Sequence, residues 1–181
     1  MRKVILSEFV SLDGVMEEPS WTMPYWNDEI AKFKFDELFA SGMLLLGRVT
    51  YQGFAAAWPS MSDEQGYAER MNSLPKVVVS TTLIEATWNA SLIKDDIATH
   101  VSKMKKQPGL DILIFGSGTL VQTLMQHELI DEYRLLVYPL LLGKGKPLFQ
   151  EGNKIKLTLI ETKAFRSGAV LLRYKLDRKE V

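Results

Sequence analysis

The 181-residue sequence contains no cysteine. This absence excludes disulfide bonds, cysteine-ligated zinc, iron–sulfur clusters and a cysteine nucleophile. Histidine is also scarce, and His100 and His127 are too isolated in the sequence to suggest a set of metal ligands. We therefore expect no metal site.

The sequence also lacks an excess of charge and a long hydrophobic run. Lys+Arg and Asp+Glu both total 22, so the formal net charge is zero, which removes the electrostatic basis for extensive nucleic-acid binding. No apolar run approaches the ~20 residues that a membrane span needs, and the first residues are too polar for a signal peptide. We expect a cytoplasmic protein that binds neither nucleic acids nor membranes.

The composition is that of a globular domain. Hydrophobic residues make up 46% of the chain and charged residues 24%, and both values are typical of folded proteins. The length predicts one domain over residues 1–181.

Apolar segments alternate with helical patterns over the first two thirds of the chain, and strand-like segments follow. Helices are predicted from Asn27 to about Ala40, near 62–72, after Asp95 or Asp96, and after Gly116-Ser117-Gly118. We expect a single α/β domain with a mixed, mostly parallel sheet, helices on both faces and a C-terminal antiparallel hairpin. The predicted strands are 3–10, 43–46, 76–80, 111–115 and 132–143, and the hairpin comprises 156–165 and 169–176.

Three of the predicted strands end in turns rich in glycine, serine and threonine. The turns are 47–50, 80–82 and 116–119, and parallel strands would bring them to one edge of the sheet, where ligands of α/β proteins bind. Glycines and helix N-termini let backbone N–H groups approach a phosphate, and Arg48 adds a forked cation. Together the turns predict a site for an anionic nucleotide.

Each turn taken alone is also compatible with ordinary turn chemistry. The GSG turn is not a complete dinucleotide fingerprint, because Val121 stands where G-x-G-x-x-G needs its last glycine. The GKGKP segment lacks the pattern of a P-loop, and we interpret Lys144 and Lys146 as a solvated turn rather than a phosphate clamp.

A long irregular segment follows the first predicted strand, and such segments are often functional. Asp13 comes directly after that strand and is a candidate proton donor, although solvation at the surface is the alternative for any of these loop carboxylates. The aromatic residues Trp21, Tyr25 and Trp26 could line a pocket for a flat ring or belong to the core.

In this order, the motifs resemble a known family. The chain is similar to the dihydrofolate reductase-like family, and within it to the reductase domain of the bifunctional riboflavin-biosynthesis enzyme and its stand-alone bacterial relatives. The resemblance covers nearly the whole chain and is most specific in the last of four segments: VILSEFVSLDG (4–14), LLLGRVTY (44–51), VVVSTTL (77–83) and ILIFGSGTLVQTLMQHELIDEYRLLVYPLLLGKGKPLF (112–149).

The resemblance implies an oxidoreductase that uses NADPH, with NADH as the other possibility. It implies that the SLDG loop borders the substrate. If the protein is such a reductase, we expect Asp13 or ordered water to deliver a proton. The 2′-phosphate would lie near Ser80 and Thr81. The implied cofactor-binding residues are Gly47, Arg48, Thr50, Ser80, Thr81, Gly116, Ser117, Gly118, Thr119 and Leu120.

The resemblance further implies hydride transfer to a small heterocyclic substrate. One candidate is a riboflavin precursor of the 5-amino-6-(5-phosphoribosylamino)uracil type, and the alternative is a pterin, as in dihydrofolate reductase. Ala31 stands where dihydrofolate reductases carry the helix carboxylate that contacts the pterin. A dinucleotide-binding protein without catalysis and an interaction module remain the hypotheses from other classes. The apolar C-terminal strands predict a homodimer.

Overall fold

The computed structural model describes residues 1–152 and 154–178 and contains a central eight-stranded sheet. Its strand order is β4-β3-β2-β5-β1-β6-β8-β7. The first six strands of the chain run parallel, and β8 pairs antiparallel with both β6 and β7. The strands are β1 Val4–Ser11, β2 Ser41–Gly47, β3 Lys76–Val79, β4 Ala90–Ile93, β5 Asp111–Phe115, β6 Glu132–Tyr138, β7 Leu157–Ala164 and β8 Val170–Leu176.

Five α-helices in the described chain cover the two faces of the sheet. Buried residues of α4 and α5 pack with Val4 and Leu6 of β1 in one cluster, whereas α1, α2 and α3 pack on the opposite face with Ile5 of β1 and with β6 and β8. The helices are α1 Asp28–Phe39, α2 Arg48–Ala57, α3 Tyr67–Ser73, α4 Ile97–Lys106 and α5 Gly118–Gln126, with 3-10 turns at Pro19–Tyr25 and Trp58–Ser60. Within the described residues, no helix is long and apolar enough to cross a membrane.

The predicted α/β class, the mostly parallel sheet and the C-terminal hairpin are confirmed. Helix α1 begins as predicted, because the Asn27 side chain accepts the N–H of Ile30 at 3.0 Å. Helix α4 is capped in the same way by Asp96, whose carboxylate accepts the N–H of Thr99.

Three elements differ from the sequence prediction. The strand predicted at 132–143 ends at Tyr138, because Pro139 cannot donate to the ladder. Helix α2 was not predicted, since the β-branched Val49 and Thr50 and the internal Gly53 have weak helix propensity. Strand β4 was also missed, because it is only four residues long and not uniformly apolar.

The parallel arrangement determines where the ends of the strands lie. Because β3, β2, β5 and β1 are consecutive neighbours in the sheet, their carboxyl ends lie side by side along one edge. The three turns singled out in the sequence follow β2, β3 and β5.

Candidate functional site

The turns after β2 and β5 are joined by the side chain of Ser117. Its Oγ accepts the N–H of Gly47 at 2.7 Å and lies 3.1 Å from Thr50 Oγ1, to which it donates. Ser117 itself has the left-handed backbone conformation, with φ of 71°. The Ser117 hydroxyl therefore holds together the turns after β2 and β5, which are about seventy residues apart in the chain.

The glycines of these turns are required by close packing. A Cβ at Gly116 would lie 2.6 Å from Thr50 Oγ1, and its φ of +59° already disfavours a side chain. A Cβ at Gly47 would lie 3.0 Å from Ser117 Cβ, and one at Gly118 would lie 3.0 Å from the sulfur of Met16. The glycines therefore let the turns pack in contact with each other.

A cleft of about 1600 Å³ lies along this edge. Pockets for drug-sized ligands have volumes of about 300–1,000 Å³, so the cleft has room for two ligands side by side. All of the sequence-predicted cofactor-binding residues line it: Gly47, Arg48, Thr50, Ser80, Thr81, Gly116, Ser117, Gly118, Thr119 and Leu120.

The hydroxyl of Ser80 shapes the turn after β3. Ser80 is buried, and its Oγ accepts the N–H groups of Thr82 at 3.2 Å and Leu83 at 3.1 Å. Thr81 is exposed and faces the cleft. Ser80 therefore positions the turn, and Thr81 carries the more accessible hydroxyl.

Two cationic side chains line the cleft near these turns. Arg48 is exposed at the start of α2, and its guanidinium donates to Gln52 Oε1 at 3.0 Å. Lys146 donates from Nζ to Thr119 Oγ1 at 3.1 Å, at the first turn of α5. Lys144 is exposed, as expected for a solvated turn, and Lys146 is half-exposed and makes this one contact with α5.

The loop that contains Lys146 is held against the loop after β1. The N–H of Met16 donates to the Lys146 carbonyl at 3.0 Å, and the N–H of Lys146 donates to Glu17 Oε2 at 3.0 Å. A bridge between Val15 and Pro147 continues this pairing. Such long-range contacts were not detectable in either loop sequence.

Asp13 is held away from the cleft. Its carboxylate accepts the Ser11 hydroxyl at 2.5 Å and the N–H groups of Gly143 at 2.8 Å and Leu142 at 3.2 Å. These hydrogen bonds, that of Ser11 foremost, lower the pKa of Asp13 to about 2. Asp13 is absent from the residues that line the cleft, and an ionised carboxylate has no proton to donate. In this conformation Asp13 fastens two loops, and its role as a proton donor stays a prediction that this geometry does not favour.

Glu8 is a candidate functional residue that the sequence analysis did not select. It lies in β1, is 5% exposed, and lines the cleft. Its Oε2 atom is buried without a hydrogen-bond partner. Burial raises the pKa of Glu8 to about 8. The charge of Lys34 and the N–H groups of Phe9 and Gly116 lower this pKa, but by less than burial raises it. The signal in the sequence was one acidic residue within the otherwise mostly apolar strand VILSEFVS.

Lys34 is a second cleft residue that the sequence analysis did not select. This buried side chain of α1 forms an ion pair with Glu37 and lies 3.0 Å from Ser7 Oγ, and Ser7 donates to Glu37 Oε1 at 2.7 Å. The ammonium also lies over the ring of Phe115, 4.1 Å from its centroid. The charge of Lys34 is thus engaged mainly by Glu37 and by aromatic faces.

Aromatic side chains also line the cleft. The cleft is lined by Trp26, as one sequence hypothesis allowed. Trp21 and Tyr25 instead pack edge-on against Tyr138, at 5.5 and 5.7 Å between ring centroids. The other aromatic residues that line the cleft are Phe9, Phe35, Phe54, Trp58, Tyr67 and Phe115.

Comparison with known sequences identifies relatives along almost the entire chain. The sequence model of the RibD C-terminal domain family matches residues 2–171. The protein YyaP of Bacillus subtilis (strain 168) is 33% identical over 177 residues, which span 96% of this chain and 94% of YyaP.

Solved structures with the same fold include two informative neighbours. A protein of Shewanella sp. PV-4 that is named for riboflavin biosynthesis matches with a TM-score of 0.79 at 22% identity, covering 98% of this chain and 100% of that one. Dihydrofolate reductase of Enterococcus faecalis, solved with NADP(H) and RAB-propyl, matches with a TM-score of 0.66 at 12% identity and covers 97% of each chain. These neighbours confirm the predicted dihydrofolate reductase-like fold.

Proposed function

The chain belongs to the RibD C-terminal domain family, and on this premise we propose that it is an NAD(P)H-dependent reductase. Its substrate is a small heterocyclic compound that accepts a hydride. The observation that carries the proposal is the joining of the strand-end turns around Ser117, beside a cleft large enough for two ligands.

The residues along the cleft fit a nicotinamide dinucleotide. The Ser117 side chain does not cap the first turn of α5, and a helix N-terminus attracts phosphate groups. Arg48 and Lys146 add positive charge at the same cleft. The dihydrofolate reductase with this fold was solved with NADP(H), which agrees with this assignment. When bound, the cofactor supplies the hydride.

The chain's own residues bind and orient the two ligands. The turns at 47–50 and 116–119 hold the phosphate groups, and Thr81 with Arg48 contacts the 2′-phosphate, which favours NADPH over NADH. The flat substrate lies against the aromatic wall that includes Trp26 and Phe35. A riboflavin precursor of the 5-amino-6-(5-phosphoribosylamino)uracil type is the first candidate substrate, because Ala31 and not a carboxylate lines the cleft from α1; a pterin is the alternative.

We further propose that the active form is a homodimer that pairs through the C-terminal strands. Strand β7 is the edge of the sheet, and Leu159 and Ile160 on it are 52% and 45% exposed. Exposed apolar residues on an edge strand favour association with a second copy. Light scattering should give the mass of a dimer, and a monomer mass would contradict this part of the proposal.

The function is tested by titrating the purified protein with NADPH and NADH while following nicotinamide fluorescence. We expect saturable binding of NADPH, weaker binding of NADH, and a severalfold higher Kd for NADPH in Arg48→Ala. Arg166→Ala is the matched control, because Arg166 is exposed and pairs with Glu29 away from the cleft. It should leave the Kd unchanged.

The possible results separate the hypotheses. If neither dinucleotide binds to the folded protein, the proposed function is wrong. If NADPH binds but no pyrimidine or pterin is reduced, the dinucleotide-binding protein without catalysis becomes the better hypothesis. If Arg48→Ala binds NADPH as tightly as wild type, Arg48 is not a cofactor contact.

A further inference from the structure

We propose that Glu8 is the proton donor of the reaction in the cleft. The inference rests on the proposed reductase function and deepens it, because it assigns a catalytic residue to that function.

The position of Glu8 is the first support for this assignment. Glu8 lies one residue beyond the point where β1 and β5 stop pairing, since Ser7 is the last β1 residue paired with β5, opposite Phe115. Directly after the end of β5 comes Gly116, the first glycine of the proposed cofactor turn, and its N–H faces the Glu8 carboxyl. Glu8 therefore lies where the proposed dinucleotide side of the cleft meets the aromatic side.

The second support is that, within the described part of the chain, the Glu8 carboxyl has no counterion of its own. Lys34 on α1 is the charged group that acts on Glu8, but its ammonium is paired with Glu37 and rests on the ring of Phe115. On the side away from β5, strand β1 pairs with β6, and the residue opposite Glu8 there is the apolar Leu135. Burial without a dedicated cation favours the neutral acid, which agrees with the raised pKa of about 8.

The third support is the unsatisfied Oε2 atom. A buried polar atom without a partner costs free energy unless a ligand completes its hydrogen bonding. Among the described residues, four have buried side-chain polar atoms of this kind: Glu8, Glu37, Arg70 and Tyr138. Of these, Glu8 alone lines the cleft. A hydrogen bond to a substrate nitrogen would satisfy this carboxyl.

The proposed step balances in atoms and charge. A pterin has a C=N bond in its ring, and the ribosylamino compound gains one when its ribose ring opens, because the C1′–O bond breaks and the N–H proton moves to the ring oxygen. The O–H bond of Glu8 then breaks and an N–H bond forms on the nitrogen of this C=N bond, while the neighbouring carbon receives the hydride supplied by NAD(P)H. The C=N bond is reduced to CH–NH and the nicotinamide is oxidised. Glu8 is left as a carboxylate and regains a proton from solvent. A carboxylic acid with a pKa near the working pH suits this task.

The protonation state can be tested without any substrate. Infrared difference spectra of wild type against Glu8→Gln at pH 7 should contain the C=O stretch of a protonated carboxylic acid, and this band should disappear as the pH rises through about 8. Glu85→Gln removes an exposed carboxyl and is the matched control, which should give no such band. Absence of the acid band in wild type at pH 7 would overturn the proposal.

Turnover tests the role of the acid. The probes are 7,8-dihydrobiopterin and 5-amino-6-(5-phosphoribosylamino)uracil, each with NADPH. We expect Glu8→Gln to lower kcat by about 10²–10⁴-fold and to leave the Kd for NADPH within twofold of wild type. The wild-type rate should fall above pH about 8, and Glu8→Asp should restore part of the rate. A merely structural Glu8 would not produce this pH profile.

The outcomes distinguish this proposal from the function on which it rests. Loss of NADPH binding in wild type refutes the reductase function itself. NADPH binding without oxidation of either probe overturns Glu8 as the proton donor together with the catalytic function, and leaves dinucleotide binding in place. Oxidation of a probe by Glu8→Gln at the wild-type rate and with an unchanged pH profile overturns Glu8 as the proton donor and leaves the reductase function in place.

Discussion

Replacing Glu8 with glutamine should make the stability of the protein much less dependent on pH. Glutamine has nearly the same shape as a protonated glutamic acid and cannot ionise. In wild type, burial raises the pKa of Glu8 from 4.5 to about 8. Between these two values the folded state binds more protons than the unfolded state, so the free energy of unfolding falls as pH rises.

The size of this effect follows from the pKa difference. Each pKa unit corresponds to about 1.36 kcal/mol, so the change from 4.5 to about 8 amounts to about 5 kcal/mol over the full range. Between pH 5 and pH 7 the expected change is about 3 kcal/mol, because this interval lies inside the range where only the unfolded state has lost the proton. The free energy of unfolding of Glu8→Gln, relative to that of wild type, should therefore rise by about 3 kcal/mol from pH 5 to pH 7.

Urea denaturation followed by tryptophan fluorescence at several pH values measures this difference. Glu85→Gln is the control, since Glu85 is exposed and its replacement should change the free energy of unfolding by less than about 0.5 kcal/mol throughout. If wild type and Glu8→Gln keep a constant difference from pH 5 to pH 7, Glu8 does not hold its proton in the folded state. The reasoning from burial would then be refuted.

Two further substitutions probe the surroundings of the cleft. Gly116→Ala should lower the free energy of unfolding by about 1–3 kcal/mol and raise the Kd for NADPH, because its Cβ would lie 2.6 Å from Thr50 Oγ1 at a φ of +59°; wild-type stability and affinity would contradict this packing. Glu37→Gln should free the charge of Lys34 for Glu8 and lower the pKa of Glu8, so that the infrared acid band weakens at pH 7. An unchanged band would show that Lys34 does not act on Glu8.

The pattern of apolar residues was sufficient to predict most strands of the sheet, because strands that are buried on both faces need apolar residues throughout. Apolar runs such as 111–115 must be covered on both faces, which favours parallel strands with helices between them. The same reasoning failed for α2 and β4. Their residues have weak intrinsic preferences, so packing against the rest of the sheet decides their conformation.

For the candidate site, the sequence identified which residues line the cleft near the turns but not how they interact. Glycine and hydroxyl residues at strand ends are visible in the sequence, whereas the hydrogen bond from Gly47 to Ser117 joins segments far apart in the chain. Lys146 was assigned to solvent because its contact with Thr119 depends on how two loops fold together.

The carboxyl groups of Asp13 and Glu8 show most clearly which properties the sequence determines and which depend on the tertiary structure. The sequence by itself determined most of the strands and helices, the turns at the strand ends and the family resemblance, because these depend on local pattern. Only the tertiary structure decided that three hydrogen bonds lower the pKa of Asp13. It also decided that Glu8 is buried beside Gly116, while Lys34 forms its ion pair with Glu37. The charge state of a carboxyl depends on solvent exposure and on neighbours brought together from distant parts of the chain, and neither is encoded in the residue's own position.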